Sequence, residues 1–255
     1  MSTDAAVTEI LVLLGAADRL VAIDASSNIK DRANLPRLGY HRALAIEGLL
    51  ALSPDLIIGS QTMGPAHVLD QLNRAQIPIM KLPTPSSIQQ LRANITDIAQ
   101  RVGGVDDELV LTVIDTTTSN IRQLALPELS GAFLLRGEGG KLRLAGKETA
   151  GFGFLGLLGV STVADFHGYR SVTSEGVLEL NPDILIITDT QGAGHEQLLE
   201  TFPLLRFSNA VQTNRLFSVN PDTLVAGISP SALHEAERIL RSELNGQQKQ
   251  ALSRR

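Results

Sequence analysis

The chain has 255 residues, 43% hydrophobic and 19% charged, with a net charge of −5. That is room for one large domain or two lobes with good cores, and no electrostatic footprint for nucleic acid or an anionic membrane. Cysteine is absent, which excludes disulfides, thiolate chemistry and Cys-ligated metal centres.

Apolar spacing predicts a helix over 7–15 that ends at Gly15, and LVAID (20–24) reads as a short buried strand. A helix over 44–52 is closed by Ser53-Pro54, and an apolar strand follows over 55–60. Next come a helix over 66–76 and a strand over 77–83, demoted to a sheet edge by its prolines. Residues 87–103 form an amphipathic helix closed by Gly103-Gly104. This alternation predicts a parallel sheet covered on both faces.

The longest helical stretch is 106–126. Asp106 and Asp107 suit its N-terminus through the helix dipole, and Pro127 follows its end. The alternation then restarts. A strand is expected over 131–137, a helix end and a strand within 178–189, a helix over 195–202, a strand over 215–221 and a helix over 230–244. The tail at 246–255 is expected to fray. The domain reading is therefore an N-terminal α/β lobe at 1–104, a linking helix at 105–127 and a C-terminal α/β lobe at 128–255.

A repeat supports two related lobes. RALAIEGLLALSPDLII (42–58) lies on RSVTSEGVLELNPDILI (170–186) with Arg, Glu, Gly, Leu, Leu, Pro, Asp and Ile in common, eight of 17 positions. A shared helix–Pro–strand unit explains the apolar pattern, but not an Arg and a Glu-Gly placed alike. Both tyrosines of the chain sit just ahead of these stretches, in LGYHR and FHGYR.

Enzyme signatures are missing. RGEGGKLRLAGKETAGFG (136–153) fails as a phosphate loop, because Gly146-Lys147 is followed by Glu148, and a hairpin or a cleft-rim loop is expected there instead. The apolar run 151–159 reads as core, and 151–164 is too short and too Gly-rich to cross a bilayer. No G-x-S-x-G elbow, H-E-x-x-H helix or paired-carboxylate motif occurs.

The order TEILVLLGAADRLVAID, LPRLGYHRALAIEGLLALSPDLIIGS and VLDQLNRAQIPI resembles the haem-binding substrate-binding proteins of bacterial ABC transporters. These belong to the helix-linked class that also serves cobalamin and ferric siderophores. The likeness spans nearly the whole chain, and G-Y-x-R-A-L-x-x-E-G is its most specific string. It implies two Rossmann-like α/β lobes joined by one long helix, with haem bound reversibly in the cleft between them. It also implies a periplasmic, non-catalytic protein that delivers its cargo to ABC permease subunits, without membrane insertion.

The likeness assigns residues as well. Tyr40 is the expected iron ligand, since a phenolate is a hard anion and a known partner of ferric haem. A free tyrosine ionises only near pH ~10, so a cation two residues on, Arg42, is expected to favour the charged form. His167 is the expected runner-up ligand, on the opposite iron face or on a second stacked haem; it lies in FHGYRSV, expected to be a loop like that of Tyr40. His41 and Tyr169 are weaker, because adjacent residues of an extended loop point apart. Glu47 and Glu175, one per lobe at a helix start, are expected to dock on permease arginines. The family carries a signal peptide and a strand ending in Ser before the TEI helix. Met1-Ser2-Thr3-Asp4 stands where that strand ends, so the first lobe is expected to lack it. The alternatives are a cobalamin or ferric-siderophore carrier of the same class and a cytoplasmic nucleotide-binding α/β enzyme.

Overall fold

A computed structural model describes residues 1–29, 32, 34–189, 195–224 and 227–253. The chain divides into two compact units, Met1–Ile114 with Val225–Pro230, and Asp115–Leu224 with Ser231–Arg255.

The first unit opens with α1 (Ala5–Leu13), two residues earlier than the apolar spacing suggests, because Asp4 caps it. The Asp4 carboxylate accepts from the amides of Ala6 (3.0 Å) and Val7 (3.3 Å), satisfying donors that a helix start leaves unpaired. Then follow α2 (Ile46–Ala51), β1 (Ile57–Ser60), α3 (Ala66–Arg74), β2 (Ile79–Leu82) and α4 (Ile88–Val102). Ser87 caps α4 through the Gln90 amide, and Gly103 ends it at φ +68°. The helix α5 (Glu108–Leu124) starts in this unit and ends in the next.

β1 and β2 pair in parallel, Ile57 with Ile79 through Ser60 with Leu82. Single parallel bridges widen this sheet, joining Ser2 to both Ile23 and Ile58, and Ile23 to Arg37. LVAID therefore contributes one bridging residue and no ladder. Its partners Ser2 and Arg37 each meet Ile23 at one position only. Met1–Thr3 lies between the 22–23 and 56–58 segments: the Ser2 amide donates to Ala22, and the Thr3 amide to Ile58. The core beneath gathers Ala22, Leu44, Leu49, Ile57, Met63, Val68 and Leu72.

The second unit holds β3 (Ser130–Arg136), β4 (Leu142–Ala145), α6 (Ala150–Leu157), β5 (Ser161–Thr162), β6 (Tyr169–Val172) and α7 (Ser174–Leu180). Then come β7 (Ile184–Thr188), α8 (His195–Thr201), α9 (Asn209–Gln212), β8 (Leu216–Val219) and α10 (Pro230–Ser253). The sheet order is β6-β4-β3-β7-β8, with β5 beside β3. The expectation of a parallel sheet is corrected here. β4 runs antiparallel to both β3 and β6, because 136–153 is the expected hairpin, turning at two glycines with positive φ, Gly139 and Gly140. The frayed tail is corrected as well. α10 continues to Ser253, since 245–253 contains no proline. Arg254 and Arg255 lie outside the described residues. Fully buried Ala132, Leu134, Leu185, Ile187 and Val177 anchor this unit's core, and α6 buries Gly151, Phe154 and Leu155 as expected for 151–159.

Candidate functional site

Tyr40 sits on a loop that the backbone fixes at both ends. Gly39, at φ +76°, turns the chain, and its carbonyl accepts from the Ala25 amide at 2.8 Å. The Tyr40 carbonyl takes the Ala43 amide at 2.8 Å, and the Leu44 amide reaches Gly64 at 2.9 Å. Leu44 is buried in the core. The Tyr40 side chain is left 48% exposed, the only tyrosine among the exposed large side chains described.

His41, the next residue, is 2% exposed. Its ring lies 4.3 Å from that of Tyr40, centroid to centroid, tilted by 54°. Arg42, exposed, donates from Nε to His41 Nε2 at 3.3 Å. Among the described residues Arg42 makes no hydrogen bond to Tyr40 and no ion pair, and its side chain is tied to His41. Burial holds the His41 imidazole below its usual pKa, the neighbouring Arg42 adds to this, and Asp24 opposes it. His41 Nδ1 is buried without a hydrogen-bond partner among the described residues.

Glu47 lies in the first turn of α2, where no side chain caps the helix, and is exposed. Glu175 lies in the first turn of α7, which Thr173 caps through the Gly176 amide. Its own amide and the Thr173 hydroxyl keep the exposed Glu175 carboxyl below its usual pKa. Leu49 and Val177, two residues beyond each glutamate, are buried at 1% and 0% exposure. The repeat is therefore visible in three dimensions at Glu47/Glu175 and Leu49/Val177.

The segment ahead of α7 differs from its counterpart. FHGYRSV was expected as a loop like that of Tyr40, but Tyr169–Val172 is the strand β6. β4 pairs with β3 only between Leu134/Leu144 and Arg136/Leu142, and β5 takes the neighbouring place on β3 at Ser130 and Gly131. Beyond that point 145–147 and 166–169 stay paired to each other. His167 stands on this extension, exposed, with Nδ1 3.3 Å from Glu148 Oε2. Tyr169 is half-buried; burial raises its pKa, and contacts to the Gly151 backbone and Thr149 oppose that rise. The Arg143 guanidinium sits over its ring at 5.5 Å.

Among the described residues no group of three or more His, Asp or Glu side chains is arranged to hold a bare metal ion, and no helix is long and apolar enough to cross a membrane. A cavity of about 380 Å³ in the first unit, lined by Met1, Leu20, Leu56 and Arg101 among others, contains none of Tyr40, His41, Arg42 or Glu47. Sequence reasoning underrated His41. The available signal was an imidazole between two residues already singled out.

The two compact α/β units define a two-lobed α/β protein. Residues 1–223 match the periplasmic binding protein family, and the chain belongs to that family. It is similar to the periplasmic heme binding protein HutB of Vibrio cholerae, at 30% identity and a TM-score of 0.85, over 94% of this chain and 96% of that one. A periplasmic heme binding protein from Pseudomonas aeruginosa is 27% identical with a TM-score of 0.81, over 94% of this chain and 90% of the other. The uncharacterized ABC transporter substrate-binding lipoprotein YvrC of Bacillus subtilis is 24% identical over 245 residues, 92% of this chain and 76% of the relative.

Proposed function

We propose that this protein binds haem reversibly through Tyr40 and delivers it to an ABC permease in the periplasm, without catalysing a reaction. The observation that carries the reading is Tyr40 itself, half-exposed on a loop tied to Ala25 and Gly64, with Arg42 two residues on and hydrogen-bonded to the histidine between them. A phenolate supplies the anionic oxygen that ferric iron prefers. A fixed loop lowers the ordering cost of binding. The likeness over nearly the full chain to the Vibrio cholerae heme binding protein supports haem as the cargo.

His167 is the ligand candidate of the second unit. Its Nδ1 faces Glu148, which leaves Nε2 for iron or a ligand carboxylate. Glu47 and Glu175 are the docking carboxylates, exposed at matched helix starts and suited to permease arginines. Rim charges of this kind steer encounter and set register more than they add affinity.

Titration of haemin into the protein, followed by visible absorption, tests the reading. Wild type should develop the charge-transfer band of tyrosinate-ligated ferric haem, Tyr40→Phe should lose it, and hydroxocobalamin should produce no binding signal. An unchanged haem spectrum in Tyr40→Phe would overturn the assignment.

A further inference from the structure

We infer that His41 is a positioning residue for ligand binding: its buried imidazole holds the Arg42 guanidinium and the Tyr40 ring in the arrangement that the cargo meets. The inference rests on the proposed role of Tyr40 and extends it to a residue that never touches the ligand.

The argument begins with donors and acceptors. An arginine Nε carries a hydrogen and cannot accept one. In the Arg42–His41 contact, His41 Nε2 must therefore be the acceptor and the ring proton must sit on Nδ1. That Nδ1 is buried with no partner among the described residues. A buried N–H without an acceptor is unfavourable, and an apolar ring or a leucine would fill the same space without it. Packing alone therefore gives no reason for an imidazole here, whereas the acceptor on its other nitrogen does.

Geometry explains what the acceptor is for. Arg42 is exposed and, among the described residues, has no carboxylate to hold it; its long side chain would otherwise sample many rotamers. One bond at Nε fixes the stem and leaves both terminal nitrogens unused, available to a phenolate or to a carboxylate of the cargo. The same imidazole lies against the Tyr40 ring at 4.3 Å. Its own backbone is anchored, since the His41 carbonyl accepts from the Gly64 amide at 2.9 Å. One rigid, buried ring thus orders two exposed side chains, and order present before binding need not be created during it.

A double-mutant cycle tests this. Haemin dissociation constants are measured for wild type, His41→Leu, Arg42→Ala, the double variant and His41→Gln, which restores an acceptor. His41→Leu and Arg42→Ala should each weaken binding about tenfold. The double variant should lose less than the two single losses combined, because His41 acts partly through Arg42 and partly through the Tyr40 ring. His41→Gln should recover most of the loss, and His41→Leu should keep its thermal stability, having removed a buried polar orphan. A ligand-free readout accompanies the cycle: in ¹⁵N-labelled protein the Arg42 Nε–H signal should be protected from exchange in wild type and lose protection in His41→Leu. Additive effects in the cycle, no recovery in His41→Gln, or an Arg42 Nε–H indifferent to His41 would each overturn the inference while leaving Tyr40 as ligand. No haemin response in wild type would overturn the proposed function, and this inference with it.

Discussion

The Gly39–Glu47 and Gly168–Glu175 segments share a string of residues and fold differently. In both, a glycine of positive φ precedes a tyrosine, +76° at Gly39 and +75° at Gly168. After that glycine the paths diverge. In the first unit the tyrosine enters a tied loop and stays exposed, and a histidine separates it from the arginine. In the second unit that extra residue is absent, the tyrosine starts a strand, and contacts to Thr149 and Gly151 hold it in place. One extra residue, His41, goes with the difference between a tyrosine exposed on a loop and one half-buried at a strand start. What the two segments keep in common is the helix start with its carboxylate.

The sharpest way to break this comparison is to remove each phenolic oxygen in turn. Tyr40→Phe should abolish the tyrosinate–haem band, whereas Tyr169→Phe should leave it intact and lower stability by about 1 kcal/mol through lost hydrogen bonds. Haem loss in Tyr169→Phe alone would reverse the roles. The shared feature is tested next: Glu47→Ala with Glu175→Ala should leave haem binding at wild-type strength and cripple uptake in reconstituted transport, each single change doing less. Normal uptake by the double variant would reduce the matched carboxylates to shared ancestry.

The two units also contrast in acid response. Burial pushes the Asp4 carboxyl up to about 6 from 3.8, with Asp24 adding to it. The folded chain therefore binds this proton more tightly than the unfolded one, and stability rises as pH falls from above 6 towards 3.8. Asp4→Asn keeps a capping oxygen and removes the buried charge, so it should stabilise at pH ~7.5 by about 2 kcal/mol and flatten that rise. Asp183 has the opposite sign, its carboxyl held below the usual range by the Ser130 amide and hydroxyl. Its contribution is present above pH 3.8 and fades as pH falls through the lowered value, so Asp183→Asn should destabilise mildly at neutral pH. Urea midpoints at pH ~4.5 and ~7.5 measure both; destabilisation by Asp4→Asn at the higher pH would contradict the buried-charge account.

The smallest effect concerns the two glycines. Gly39→Ala and Gly168→Ala meet no atom within 4 Å, so each should cost only the backbone strain of positive φ, about 1 kcal/mol. Equal losses in melting temperature with weaker haemin binding only in Gly39→Ala would confirm that the two turns are matched and their cargo roles are not.

Much of this was legible beforehand because it rests on short-range rules. Helices announced by caps and breakers, such as 87–103 with its Ser87 cap and Gly103 stop, appear within a residue or two. The hairpin inside 136–153 follows from its glycines. Long-range pairing was the hidden part. LVAID has the composition of a strand but finds only single-residue partners, and TyrArgSerVal has few strand cues yet pairs along β4. At the site, Tyr40 and Arg42 came from the resemblance and its G-Y-x-R string, which does not reveal that the arginine bonds to the histidine between them.

The helices that present the two carboxylates have six and seven residues, well short of the length at which an isolated helix persists in water. Each survives because one side chain, Leu49 or Val177, is sunk into the sheet's core. These surface charges therefore have no independent folding unit beneath them. Hydrogen exchange at the amides of α2 and α7 should track the opening of the cores rather than local fraying, and any substitution that loosens Leu49 or Val177 will blur the charge two residues away without touching it.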